Sequence, residues 1–450
     1  MTRHVLIGRF GDADRRRIPK ASDEVASQLQ LVKGRRLDHG IGRAIDDLKS
    51  LKVIPSEIGV DLLVVAAHIH AADTRISRAT ESQDAWTREI RLVIPVSDPL
   101  IWSSSAGILK RALDFLTGDR WSLGFRERAR GFENVLPEEE TQNIFSAPFD
   151  GVSLFSGGLD SLIGAIDTLQ SGGIPLLVSH AGEGLVSQSQ ERCFEGLKAH
   201  YTSIPFDRLR VWMNFDDGLI QDVASEDSTR GRSFLFFAIG VAAGTGLGRE
   251  FTLKLPENGL ISLNVPLDRL RLGALSTRTT HPFYVARWNE LLRSLGIPGK
   301  LDNPYWDKTK GEMVAGCRNP SLLNHLAPLS LSCSSPAKMR WKKKPQGHCG
   351  YCLPCLIRRA SMLGRDPTIY GLADLKGQSL DTNKVEGQQV RSFQLAISRL
   401  AQRPELAKLL IHKPGSLADY PDRLNAFAEV YRRGLEEVGR LLRGVRTRPA

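Results

Sequence analysis

No stretch of the sequence comes near the ~20 uninterrupted apolar residues that a membrane-spanning helix needs. The two most apolar segments, VDLLVVAAHIHAA and FLFFAIGVAAG, are too short and read as buried helices. The amino-terminal MTRHVLIGRFGDADRRR has a brief apolar run followed at once by Asp and Arg, without the longer apolar region and small-residue cleavage site of a secretory signal. A cytoplasmic location is the expectation. Cysteine is scarce, with six in 450 residues. Four of them, Cys333, Cys349, Cys352 and Cys355, crowd into one stretch, which in a cytoplasmic chain favours metal over disulfides. Cys193 and Cys317 stand alone, without an assigned role.

Charge is in excess on one side. The formal net charge of +11 would suit a nucleic-acid binder if it were concentrated. Its clusters, DRRRIPK, MRWKKKPQ and RRGLEEVGRLLRGVRTR, lie far apart, and the last is a helical pattern carrying its own acids. Solvated faces and small anionic ligands are favoured over a dedicated nucleic-acid groove.

Residues 1–145 read as an accessory α/β unit. HVLIGRF and IRLVIPV are strand-like, while IGRAIDDLKSLKV, VDLLVVAAHIHAADTRI and SSSAGILKRALDFL have helical spacing. The polar, turn-rich ENVLPEEETQNIFSAPFD marks a boundary. From about residue 150 to 365 the rhythm becomes strand, glycine loop, helix, strand: GVSLF, SGGLDS, LIGAIDTLQ and IPLLVSH form one βαβ unit and imply a doubly wound parallel sheet. Residues 390–450 form a helical cap, in which Leu424, Phe427, Tyr431, Leu435, Val438 and Leu441 recur at three- and four-residue intervals.

The loop of Ser156, Gly157, Gly158, Leu159, Asp160 and Ser161 is suited to phosphate. Glycine permits positive φ and close backbone approach, and the helix behind it offers unsatisfied amides and its positive dipole end. The lysine of a Walker loop, GxxxxGK[ST], is missing. Asp160 repels phosphate, so it either holds Mg²⁺ bridging the phosphates or positions the loop. SGGLDS resembles the SGGxDS signature of the PP-loop ATP pyrophosphatases. The resemblance implies a doubly wound α/β domain that cleaves ATP to AMP and pyrophosphate while adenylating a substrate.

Thiolates spaced as Cys333, Cys349, Cys352 and Cys355 can converge on one tetrahedral Zn²⁺, and a four-sulfur site is closed, hence structural. His348 is a competing ligand. A PP-loop followed by such a cluster (333–355) is similar to the QueC family of 7-cyano-7-deazaguanine synthases. TRGRSFLFFAIGVAA resembles that family's PGRN-type segment, which implies nucleotide or substrate-anion binding by Arg232; Ser233 stands where asparagine is usual. DKTKGEMV resembles its KT(K)xEIV element, matching Lys308, Thr309 and Lys310 and implying charge neutralisation by the two lysines.

The amino-terminal unit, the helical tail and the segments PENGLISLNVPLDRL and STRTTHP depart from QueC. They look like the QueC-like enzymes of anti-phage defence operons, the Qat systems among them. The resemblance implies ATP-dependent activation of 7-carboxy-7-deazaguanine and its transfer, as an amide, to an amine on an operon partner protein. Glu257, Asn258, Arg278 and His281 are then candidates for the substrate slot. Three other readings stay open: a 7-cyano-7-deazaguanine synthase of queuosine biosynthesis, an RNA-thiolating PP-loop enzyme, which would need Cys193 or Cys317 as reactive thiols, and a non-catalytic scaffold built on the zinc module.

Overall fold

The computed structural model describes residues 3–34, 36–82, 85–136, 147–182, 184–226, 230–268, 278–337 and 347–448. The middle of the predicted boundary segment (137–146) and the whole of the basic MRWKKKPQ run therefore lie outside the described residues, as do parts of TRGRSFLFF, STRTTHP and PENGLISLNVPLDRL.

Two parallel sheets organise the chain. In the first, β1 (Arg3–Arg9), β2 (Glu24–Gln30), β3 (Glu89–Val96) and β4 (Arg120–Glu127) pair in the order β2-β1-β3-β4. The apolar runs predicted as strands are the two inner ones, because a parallel strand covered on both faces must be apolar throughout. The outer pair, EVASQLQ and RWSLGFRE, are buried at only two positions each and escape that signal. Helices α1 (Ile41–Ser50), α2 (Glu57–Arg75) and α3 (Pro99–Thr117) connect them. Asp98 starts α3 by accepting from the amides of Leu100 and Ile101, with Pro99 in the first turn where no N–H is needed.

The second sheet contains β5 (Gly151–Leu154), β6 (Pro175–His180), β7 (Asp207–Val211), β8 (Phe251–Lys254) and β9 (Gly299–Asp302), all parallel, in the order β9-β8-β5-β6-β7. This is the order of a doubly wound sheet. Its direction reverses between β5 and β8, and such a switch point opens a crevice at the carboxyl ends of the strands. Helices α4 (Leu159–Gln170), α5 (Gly184–His200), α6 (Arg232–Thr245) and α8 (Pro282–Ser294) link the strands. The short α7 (Gly259–Leu263) follows β8, and α9 (Lys310–Ala315) follows β9.

The two sheets share one apolar core. Helix α2 packs on α6 and α3 on α8, each pairing the helices that lead into corresponding strands of the two units. The approach is close: a Cβ at Gly59 would lie 2.4 Å from Thr245 Oγ1, and the Ser105 and Ser294 hydroxyls are 2.7 Å apart. Beyond the sheets, α10 (Leu353–Ser361) carries the last cysteine, and α11 (Val385–Gln402) and α12 (Leu424–Leu442) form the tail. The predicted stripe on α12 faces inward: Phe427, Tyr431, Leu435 and Val438 are buried in a second core with α7, α10 and α11.

Candidate active site and metal centre

β5 delivers the chain into the glycine loop, and α4 carries it away. Gly157 has φ 78°, and a Cβ there would lie 2.9 Å from the Gln190 amide nitrogen, so both conformation and space require glycine. Gly158 has an ordinary φ of −83° and caps α4 without a side-chain bond. Positive φ is thus needed at only one of the two glycines. The Ser156 and Ser161 hydroxyls lie 3.2 Å apart, and Ser161 donates to the Gly158 carbonyl at 3.0 Å. Leu159 puts its side chain in the core and donates its amide to Ser332 Oγ at 3.3 Å. Among the described residues the amides of Asp160 and Ser161 have no protein acceptor, which leaves the helix end open to an anion.

Across the switch point, the loop after β8 brings Glu257 and Asn258 against the same helix end. Asp160 Oδ2 accepts from the side-chain amide of Asn258 at 2.7 Å and from its backbone N–H at 3.2 Å, while Oδ1 accepts from Lys310 Nζ at 2.6 Å. Burial pushes the Asp160 carboxyl up, but the Lys310 ammonium and hydrogen bonds from Glu257, Lys310 and Asn258 outweigh it and hold it below the usual carboxylate range. Burial and the adjacent Asp160 charge, together with a hydrogen bond between the two carboxyl groups, drive Glu257 well above its ordinary value.

Lys310 is held from behind. Thr309 and Glu312 form a reciprocal capping box at the start of α9. From α12, Glu437 accepts the Thr309 hydroxyl and the Gly311 amide, the latter at 3.1 Å, and Arg433 pairs with Glu312 at 2.6 Å. A Cβ at Gly311 would come within 2.5 Å of Glu437 Oε1, so this approach depends on glycine.

The other predicted residues are dispersed. Lys308 is exposed and pairs with Asp307 at 3.6 Å. Arg232 opens α6 beyond the end of β6, its guanidinium stacked 5.4 Å from the Phe236 ring centroid. Arg278 donates to the Phe115 carbonyl at 2.7 Å and covers the Phe115 ring. His281 is buried, caps α8 through Nδ1, and is held neutral because burial lowers its pKa to about 3. These two residues tie α8 to the end of α3 and make no contact with the glycine loop.

The four clustered cysteines converge: their sulfur atoms all lie within 4.8 Å of one another, with Cys333 to Cys352 at 3.8 Å and Cys349 to Cys355 at 3.9 Å. The edge of a tetrahedron with Zn–S bonds of about 2.3 Å is about 3.8 Å, so the set could hold a metal ion such as zinc. Gly350, at φ 88°, turns the chain between ligands. His348 stands outside the set. Its Nε2 accepts from the Ser332 amide at 3.1 Å, and burial keeps the ring neutral.

The cysteine module also braces the glycine loop. The Leu331 amide donates to the Gly157 carbonyl at 2.8 Å, and the next residue, Ser332, supplies the hydroxyl to Leu159. Arg358 of α10, wholly buried, donates to the Ser330 hydroxyl at 2.8 Å and the Ala327 carbonyl at 2.7 Å. Loop and module are one construction.

No family model matches the sequence, and neither a curated protein nor a solved structure matches it.

Sequence reasoning missed Gln190, Ser332, Arg358 and Glu437. Each acts through a backbone group or a distant residue, and an isolated polar residue in a helix carries no spacing signal. Ser332, directly before Cys333, and Arg358, three residues beyond the last cysteine of CxxCxxC, stood where neighbours of the cysteine module would be sought.

Proposed function

We propose that the protein is an ATP-dependent ligase of the PP-loop type that adenylates a carboxylate and passes the acyl group to an amine. The observation that carries this reading is the meeting of SGGLDS with Asn258, Glu257 and Lys310 at the β5/β8 switch point. Free amides at the start of α4 suit phosphate oxygens, and the cation that a Walker loop carries within itself is supplied here by Lys310 from α9.

The chemistry follows in two displacements. A carboxylate oxygen attacks the α-phosphorus of ATP, the bond to the bridging oxygen breaks, and pyrophosphate leaves. The amine nitrogen then attacks the acyl carbon, AMP departs with one carboxylate oxygen, and the amine proton passes to a base. Preorganised amides and the Lys310 ammonium stabilise charge growing on the phosphates. Asp160 keeps Lys310 in place until phosphate competes for it. Once deprotonated, two adjacent carboxylates would suit a hard divalent cation, so Asp160 and Glu257 would hold Mg²⁺, which would neutralise charge on the leaving pyrophosphate.

The acid, on the resemblance drawn from the sequence, is 7-carboxy-7-deazaguanine, and the amine belongs to an operon partner in anti-phage defence. RNA thiolation is disfavoured because burial pushes the Cys193 and Cys317 thiols each up to about 12, far from the thiolate such chemistry uses. The test is product analysis by mass spectrometry after incubation with MgATP, the acid and either ammonia or the partner. AMP, pyrophosphate and an amide-linked deazaguanine are expected, and Asp160→Ala should abolish all three with the fold retained. Release of ADP and phosphate would point to different chemistry.

A further inference from the structure

Buried side-chain polar atoms without a hydrogen-bond partner are rare in folded proteins. Here four of them gather beside the glycine loop: Nδ1 and Nε2 of His180, Nδ1 of His70 and Oε1 of Gln190. His180 ends β6 and is 4% exposed, while His70 belongs to α2 of the first unit and is 8% exposed. The two rings meet edge to face with centroids 5.8 Å apart, and Phe236 and Phe215 flank them at 5.4 Å from His180 and 5.9 Å from His70.

Gln190 ties this cluster to the loop. Its Nε2 donates to the His180 carbonyl at 3.2 Å and reaches the Ser156 carbonyl at 3.5 Å, which fixes the amide orientation and leaves Oε1 as the open acceptor. A guanidinium borders the same place: a Cβ at Gly182 would lie 2.8 Å from Arg232 Nη2. Burial, with the Arg232 charge nearby, lowers His70 to about 4 and His180 to about 3, so at neutral pH each ring offers one donor and one acceptor. The cluster stands at the carboxyl end of the strand next to β5, on the ligand edge of the sheet.

We infer that His180, His70 and Gln190 form a binding site for a planar nitrogen heterocycle with alternating donor and acceptor atoms, its negative substituent directed toward Arg232. His70 thereby makes the first α/β unit part of the ligand site. This inference rests on the adenylation reading, which offers two sources of such a ring: the purine of ATP and the ring of the activated acid. Two neutral imidazoles and a fixed amide oxygen can satisfy the hydrogen-bonding edge of either ring, and the ring in turn satisfies four atoms that are otherwise stranded.

The experiment is calorimetric titration of the full-length protein with two probes, α,β-methylene-ATP with Mg²⁺ and 7-carboxy-7-deazaguanine. His70→Phe and His180→Phe keep the ring volume and remove the nitrogens. Each should weaken one probe about tenfold, and the probe affected identifies which ring sits there. Wild-type affinity of both variants for both probes would overturn the site, as would failure of the wild-type protein to bind either probe. If a variant does not fold, ¹⁵N shifts of the two imidazoles in histidine-labelled wild-type protein decide. A change at both rings on saturation with a probe supports the site, and unchanged shifts overturn it. Retained binding with no AMP formed from any acid would remove the adenylation reading and leave the binding site standing.

Discussion

The Lys310 ammonium sits 2.6 Å from Oδ1 of Asp160, two buried residues 150 positions apart in the chain. The pair fastens the start of α9 to the start of α4, and with it the two halves of the switch point. Removing one partner leaves a buried charge uncompensated, which costs roughly 3–5 kcal/mol, whereas removing both leaves none. Lys310→Met and Asp160→Asn should each lower unfolding stability markedly, and the double variant should recover much of it. Urea denaturation in a double-mutant cycle measures the coupling; strict additivity would mean that the pair is not what joins these elements.

The carboxyl-terminal helix is expected to matter for activity without approaching the reacting groups. Glu437→Ala strips the acceptor from Thr309 and the Gly311 amide, two groups beside Lys310, at a cost of about 1–3 kcal/mol. AMP formation should fall with it, and Glu437→Gln, which keeps an acceptor oxygen, should restore part of both. Equal turnover in all three proteins would reduce α12 to packing.

Metal removal should be felt at the glycine loop. The purified protein should carry about one zinc per chain, and Cys352→Ser should lower stability because metal affinity is folding energy. Since Leu331 and Ser332 hold Gly157 and Leu159, a strong chelator should also raise amide hydrogen exchange in Gly157–Leu162. A folded, soluble preparation without metal would contradict the first expectation, and unchanged exchange on chelation the second.

Acid should destabilise the protein through its buried imidazoles. Burial holds His68 and His70 down to about 4, and His180 and His281 down to about 3, below the ~6.5 of an unfolded histidine. Their contribution is complete above pH ~6.5. As pH falls from there toward the folded values, the unfolded chain takes up protons that the folded chain refuses, and each group loses about 1.4 kcal/mol of stability per pH unit. His68→Gln should reduce the slope of stability against pH between 6 and 5 by about that amount. An unchanged slope would show that His68 is charged in the folded state.

What was legible in the sequence was whatever is local. SGGLDS between an apolar run and a helical pattern located the loop, and the cysteine spacing located a cluster whose sulfurs do converge. The inner strands announced themselves as apolar runs, whereas β2 and β4, open along their outer edges, did not. Lys308 and Lys310 look equivalent two residues apart, yet the Thr309 cap starts a helix between them that buries one and leaves the other in water. Arg278 and His281 carry the residue types of a binding site but are used in packing, as their contacts with Phe115 show. Glu437 could not be read at all, because its partners lie on an element whose placement only the fold decides, and Arg358 offered no more than its place beside the cysteines.

On the proposed mechanism a carboxylate oxygen attacks the α-phosphorus of ATP at this loop, and that oxygen then leaves with AMP. With both carboxylate oxygens of 7-carboxy-7-deazaguanine labelled with ¹⁸O, the enzyme should release AMP carrying one ¹⁸O in its phosphate for every amide formed, read by mass spectrometry. AMP free of the label, or label found in inorganic phosphate together with ADP, would contradict the account.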